Sequence, residues 1–269
     1  MKKISNLSVL SGEIQIAEDV EIAPHVVIEG KVKIGKGTKI MLGAYITGNV
    51  EIGEDNVIYP YVVIGTEPQD LSYKGEDTFV KIGNRNIIRE YTSIHRGTPH
   101  GIGKTVVGDD NYFMAYSHIA HDCIVGNHTI FTNTGSLAGH VEVEDYAIIG
   151  AFSGVHQFTR VGMHSFMGGS TIATQDVPPF SKIVGQRPAL IVGVNTLGLK
   201  RAGFSKDEIE LIKEAFDIFF YRGLSTKEAL KELEKNFPDN KHISHFINFV
   251  KKSKRGVIKK TLLQWRKEK

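Results

Sequence analysis

Along most of this chain an aliphatic residue returns at every sixth position. The series runs Ile4, Leu10, Ile16, Ile22, Ile28, Ile34, Ile40, Ile46, Ile52, Ile58, Ile64 without a polar interruption. It resumes in phase at Ile82, Ile88 and Ile94 after the excursion "TEPQDLSYKGEDTFVK". A second excursion, "HRGTPHGIGKTV", shifts the phase by one residue, and the series continues from Val107 through Phe113, Ile119, Val125 and onward to Ala173. A helix repeats its apolar face every 3.6 residues and a plain strand every 2, so a period of six fits neither as one continuous element. It fits a short strand followed by a turn. Glycine follows the aliphatic position at Gly35, Gly53, Gly65, Gly83, Gly108, Gly126, Gly150 and Gly162, where the chain needs backbone freedom or close approach. Three such sextets make a triangular coil, and stacked coils make a parallel β-helix filled by the aliphatic column. Spacing alone does not fix its hand.

The sextet phase ends near Pro178 and Pro179. Ser205 with Glu208 and Ser225 with Glu228 then have the spacing of helix capping boxes. Ile209, Ile212, Phe216 and Phe219 recur at helical spacing, as do Ile243, Phe246, Ile247 and Val250. The expected organisation is a β-helix over residues 1–189 and an α-helical domain over residues 190–269, with the helices shielding the last coil's edge.

Composition narrows the class of protein without changing this picture. At 269 residues, 41% hydrophobic and 23% charged, the chain is that of an ordinary globular protein. It has no apolar run long enough to cross a bilayer, and its start, "MKKISNLSVLSGE", lacks a secretory h-region, so a cytoplasmic protein is expected. Cys123 is the only cysteine, which excludes an internal disulfide and a multi-thiolate zinc site. The formal charge of +3 is uneven: residues 251–269 hold nine Lys or Arg against Glu268 alone. Such a tail should attract an acidic protein, a membrane surface or nucleic acid.

If a coil holds three sextets, residues 18 apart stack at the ordinary spacing of paired strands. His121, Gly139 and Gln157 then form one column, and His118, Asp122, His140 and His156 lie beside it. His121 follows the inward Ile119 by two residues, beside the aliphatic column rather than in it. An imidazole is suited to act as a general base, with Asp122 orienting the ring and stabilising the imidazolium. The Gly139 N–H, one coil away, could donate to a developing oxyanion. Base and oxyanion donor in one groove point to acyl transfer, direct to an acceptor hydroxyl or amine because no activated serine is evident. Cys123 reads as structural. Two alternatives stay open from the residues alone: a zinc site on His118, His121 and His140, and a non-catalytic scaffold with flat binding faces.

The segments "QDLSYKGE", "IHRGT", "HIAHDC", "LAGHV", "VHQF", "QDVPP" and "GVNTLGLKRAGF" resemble, in order and spacing, the UDP-N-acetylglucosamine acyltransferases of lipid A biosynthesis, over almost the whole chain. The resemblance implies a homotrimer of left-handed β-helices with sites between subunits and no metal or cofactor. Its donor would be an (R)-3-hydroxyacyl thioester of acyl carrier protein, and its acceptor the 3-position of UDP-N-acetylglucosamine. It makes His121 the general base, Asp122 its partner and Gly139 the oxyanion donor. Gln69 and Asp70 match contacts to the nucleotide sugar, and Asn195 and Arg201 match nucleotide contacts. His118, His140, His156 and Gln157 match groups lining the sugar and acyl groove, while Gly169 matches a gate whose small size leaves room for a longer acyl chain. The basic tail then suits the acidic carrier protein, with neither nucleic acid nor stable membrane insertion expected. Two positions depart from the family: Ala202 stands where a second arginine is common, and Ser72 where lysine is common. A 3-amino sugar acceptor and a coenzyme A donor are the alternatives within the transferases.

Overall fold

A computed structural model describes residues 3–267; Met1, Lys2, and Glu268 and Lys269 of the basic tail lie outside the described residues. The sextets form short parallel strands, three sextets to a coil, as where Val27–Ile34 pairs with both Val9–Ile16 and Tyr45–Ile52. The two excursions are insertions into this stack. Across the first, Val57 pairs with Ile87, two sextets beyond the regular repeat. Across the second, Ile87 pairs with Tyr112, one sextet and one residue beyond it. The first insertion is therefore a whole number of sextets and keeps the phase, whereas the second exceeds a whole number and slips it by one position.

Each coil has three sides and three corners. The sextet residues point inward and are at most 3% exposed from Ile22 through Ala173, whereas Ile4 and Leu10 in the first coil are 38% and 39% exposed because no coil covers them. Burying each Ile or Val is worth about 1.5–3 kcal/mol, so the column is the main source of stability. A second inward column, two residues earlier, takes smaller side chains. Its polar members form an internal ladder: the Asn86 amide donates to Asn56 Oδ1 (3.0 Å), that of Asn111 to Asn86 Oδ1 (2.9 Å), and the Thr129 N–H and hydroxyl both to Asn111 Oδ1 (2.7 Å each).

The coil turns at residues three after each inward position, which adopt the left-handed backbone region although most are not glycine. The first corner includes Asp55, Asp110, His128, Tyr146 and His164; the second, Tyr61, Tyr91, Tyr116 and Phe152; the third, Asp122, His140 and Phe158. This region costs a non-glycine residue about 1–2 kcal/mol. Stacking of like side chains offsets the cost, as in the Tyr61–Tyr91–Tyr116 ladder with centroids 5.3 and 4.9 Å apart. The glycines after the inward residues serve close approach instead: a Cβ on Gly35 would lie 2.5 Å from the Gly53 backbone.

After the last parallel pairing, Ser181–Val184 forms an antiparallel hairpin with Leu190–Val194. The helices follow: α1 (Thr196–Arg201), α2 (Lys206–Phe216) with one π-helical turn (Asp217–Tyr221), α3 (Thr226–Asn236), α4 (Lys241–Lys251) and α5 (Leu262–Lys267). Both expected capping boxes are present, at Ser205 and Ser225. Helix α1 is not in the sequence expectation; its signal is Asn195, whose side chain caps it by accepting from Gly198 N. Phe216, Phe219, Phe220 and Phe246 pack as the core of this part. The basic tail folds back onto the last coil through a bridge from Val257 to Asp176 and onto the hairpin through one from Thr261 to Ile191. No helix among the described residues is long and apolar enough to cross a membrane.

Candidate active site

The segment "SHIAHDCIVG" rounds the third corner. Ile119 fills the aliphatic column and Cys123 the small-residue column, where it is fully buried and burial pushes its thiol up to about 12. Cys123 is thus a packing residue. Asp122 occupies the left-handed corner position and carries a carboxylate with unusually dense support. It accepts from the Thr98 hydroxyl (2.6 Å), the Thr98 N–H (3.0 Å) and the Ile102 N–H (3.0 Å), all from the second excursion. That loop wraps so closely that a Cβ on Gly101 would lie 2.2 Å from the carboxyl carbon. Burial works to raise the Asp122 pKa, but the hydrogen bonds from His121 and Thr98 outweigh it and hold it below the ordinary value.

His121 lies outside the aliphatic column and is nearly covered, 6% exposed. Its Nδ1 is 2.9 Å from Asp122 Oδ2. With an ionised carboxylate as partner, Nδ1 carries the proton and Nε2 is left as the basic nitrogen. The ring occupies the space that a side chain at residue 139 would fill: a Cβ on Gly139 would come within 2.4 Å of Cε1 and 2.6 Å of Nε2.

Gly139 matters a second time through its backbone. At the first corner, the N–H two residues after the inward position donates to the matching side chain on the next coil, as in Asn84 to Asp109, Asp109 to Asn127 and Asn127 to Asp145, all 2.7–2.8 Å. The third corner breaks this ladder, because its column reads His121, Gly139, Gln157 and holds no short Asn or Asp acceptor. Gly139 is a buried residue, and its N–H has no acceptor among the described residues. Unpaired buried amides are rare and draw a ligand atom or water.

His140 flanks the dyad, with its ring edge-on to His121 (5.0 Å) and stacked on Phe158 (4.4 Å). Burial lowers its pKa against the opposing pull of Asp122. Ligand-capable atoms of His121, Asp122 and His140 lie within 4.8 Å of one another. The convergence is explained without a metal, since the Asp122 oxygens already accept the donors named above. His118 projects from the adjoining side, with burial lowering its pKa. His156 and Gln157 are exposed on the next coil.

The first excursion brings Gln69 and Asp70 to the same region. Asp70 accepts from both the N–H and the hydroxyl of Ser72 (2.9 and 2.8 Å), and these bonds lower its pKa. Ser72, at a position where lysine was the comparison, thus shapes the loop. Arg96 pins that loop by donating to Tyr73 Oη (2.9 and 3.0 Å) and Gly65 O (2.9 Å). Gln69, Arg96, Tyr45 and His95 line a groove of about 790 Å³. Arg96 and His95 were missed as individual residues, although "IHRGT" contains both; their signal was proximity to an excursion, not period. Thr98 and Ile102 had no sequence signal.

Asn195, Arg201 and Gly169 do not join this cluster within one chain. Asn195 is 8% exposed, caps α1 and donates to His164 O (2.9 Å). With Arg201, Tyr146, His164, Phe166 and Lys182 it lines a separate groove of about 540 Å³ at the first corner. Gly169 is exposed near the second corner, and a Cβ there would meet only Ala151 O, at 3.4 Å.

Two family models match the chain: bacterial transferase hexapeptide repeats at residues 31–66, and domain 2 of UDP-N-acetylglucosamine O-acyltransferase at residues 176–258. The chain is 46% identical, over 96% of its length and the whole of the relative, to an acyl-[acyl-carrier-protein]–UDP-N-acetylglucosamine O-acyltransferase from Thermodesulfovibrio yellowstonii. It belongs to that acyltransferase family. The solved UDP-N-acetylglucosamine acyltransferase of Francisella novicida superposes with a TM-score of 0.92 at 38% identity, over 97% of this chain and 98% of that one. The Campylobacter jejuni acyltransferase gives 0.90 at 36% identity, over 95% and 99%. Agreement across both the coils and the helices makes the acyltransferase a left-handed β-helix with a C-terminal helical region.

Proposed function

We propose that this acyltransferase moves an (R)-3-hydroxyacyl group from the thioester of acyl carrier protein to the 3-hydroxyl of UDP-N-acetylglucosamine. The observation that carries the mechanism is the His121–Asp122 pair packed against Gly139, whose N–H lacks an acceptor among the described residues. His121 Nε2 takes the proton of the sugar hydroxyl as its oxygen attacks the thioester carbonyl. The carbonyl oxygen becomes an oxyanion, to which the Gly139 N–H donates. Asp122, kept ionised by Thr98 and Ile102, stabilises the imidazolium. Collapse of the tetrahedral adduct breaks the C–S bond, and the imidazolium proton passes to the departing thiolate.

In this reading Gln69 and Asp70 hold the nucleotide sugar, and His118, His140, His156 and Gln157 line its groove with the acyl chain. Asn195 and Arg201 sit on another corner, so they serve a site shared between copies in a cytoplasmic homotrimer, where one chain's third corner meets its neighbour's first. The open space at Gly169 favours a longer acyl chain, and Lys and Arg of the folded tail receive the carrier protein. Residues 1–189 and 190–269 act as scaffold and docking regions. The test is turnover of UDP-N-acetylglucosamine and its 3-amino analogue with hydroxyacyl carrier protein by wild type and His121→Ala. The variant should lose about 10²-fold or more in kcat with its thermal midpoint retained; near-normal turnover rejects the mechanism, and preference for the amine replaces the acceptor.

A further inference from the structure

Ser93 and His118 are register partners on adjacent coils, and both project from the outer face of the same side. The Ser93 hydroxyl lies 2.8 Å from His118 Nδ1 and has no other partner among the described residues. On its other flank, His118 meets the His95 ring edge-on, at 4.9 Å and 83°. His95 is buried, and its Nδ1 has no hydrogen-bond partner among the described residues. Burial carries His95 down to about 4, and burial first and His121 second lower His118 as well, so the pair is uncharged near neutrality.

A neutral imidazole carries one N–H, and its other nitrogen accepts. The sp² ring nitrogen is a better acceptor than a hydroxyl oxygen, and the Ser93 O–H has nowhere else to donate. Donation to Nδ1 leaves the ring proton on Nε2. We propose that Ser93 is a positioning residue that fixes His118 as the neutral Nε2–H tautomer, so that this ring donates a hydrogen bond to an oxygen of the acceptor sugar. His118 thereby complements His121: one ring offers a proton donor to the bound sugar, the other a proton acceptor to its reacting hydroxyl. The proposal rests on reading the groove as the acceptor site.

The experiment combines histidine ¹³C/¹⁵N spectra with kinetics on the full-length protein, the His118 signals being assigned by their loss in His118→Asn. Wild type should show His118 as a single neutral Nε2–H tautomer. Ser93→Ala should show a tautomer mixture, a KM for UDP-N-acetylglucosamine raised about tenfold and a donor KM unchanged, the size of one lost hydrogen bond. Ser93→Thr, which keeps the hydroxyl, should restore both readouts. Ser93 is only half-buried on the outer face, and Ser93→Thr with the wild type covers the case that the alanine variant unfolds. A wild-type Nδ1–H tautomer, or a Ser93→Ala variant with unchanged His118 signals and acceptor KM, overturns the proposal. A wild type that does not acylate this sugar overturns the functional reading instead, while its spectra still decide the tautomer.

Discussion

Replacing Gly139 with alanine tests whether the glycine is there to admit the imidazole. The new Cβ would stand 2.4 Å from His121 Cε1 and 2.6 Å from Nε2, whereas non-bonded carbons rest about 3.5–4 Å apart. The ring must retreat by about 1 Å, a shift large enough to disturb the 2.9 Å bond from Nδ1 to Asp122 and to move Nε2 from its place. A misplacement of about 1 Å in a reacting group costs about 10²-fold in rate. The backbone tolerates alanine, since Gly139 is not in the left-handed region, and overpacking should cost about 1–3 kcal/mol of stability. Steady-state kinetics should therefore show kcat down about 10²-fold in a protein that still melts cooperatively. The variant keeps the residue 139 N–H, so the loss reports the ring and not the amide. A kcat within about threefold of wild type, with the dyad hydrogen bond intact in a crystal structure of the variant, would refute the steric argument.

Thr98→Val removes the hydroxyl donor at 2.6 Å from Asp122, so the carboxyl pKa rises toward its ordinary value and the acid limb of the kcat/KM profile moves to higher pH; an unmoved limb counts against Asp122 as the supporting carboxylate. The same depressed pKa gives a stability contribution that is present above the unfolded value of 3.8 and lost as pH falls through the folded one, so acid melts of wild type and Asp122→Asn should converge at low pH. Arg96→Ala frees the loop carrying Gln69 and Asp70 and should raise the nucleotide-sugar KM about tenfold with the donor KM unchanged, as substrate titrations will show. Asn111→Ala strands the Thr129 N–H and hydroxyl inside the coil and should cost about 1–3 kcal/mol, read as a lower thermal midpoint; no change would mean that the internal ladder adds no stability.

The sextet period was legible because each inward position faces the same demand in every coil, and the stacking of His121 with Gly139 follows from the same arithmetic. Departures from the period were legible only as interruptions. Nothing in "HRGTPHGIGKTV" announces that Thr98 and Ile102 turn back to hold Asp122, because those contacts join an inserted loop to the same corner on the next coil and follow no period. The two roles of Gly139 were half legible. Its amide follows from its place in the column, but the space it leaves depends on where the His121 ring turns. The resemblance implies a nucleotide contact at Asn195, but that its side chain also caps α1 and donates to His164 O is geometry that a hairpin and a short helix create between them, with no period to announce it.

The two insertions have a consequence for how such a molecule can change. A stretch let out at a corner, whether or not it is a whole number of sextets, leaves the strands on either side paired as if it were absent. Growth at a bend is therefore decoupled from the integrity of the column, and a lineage can lengthen, shorten or rewrite these appendages while the rungs above and below stay in step. Recognition of new small molecules can be acquired at the bends of this prism without rebuilding its interior, and an engineer grafting loops would do best to insert them there.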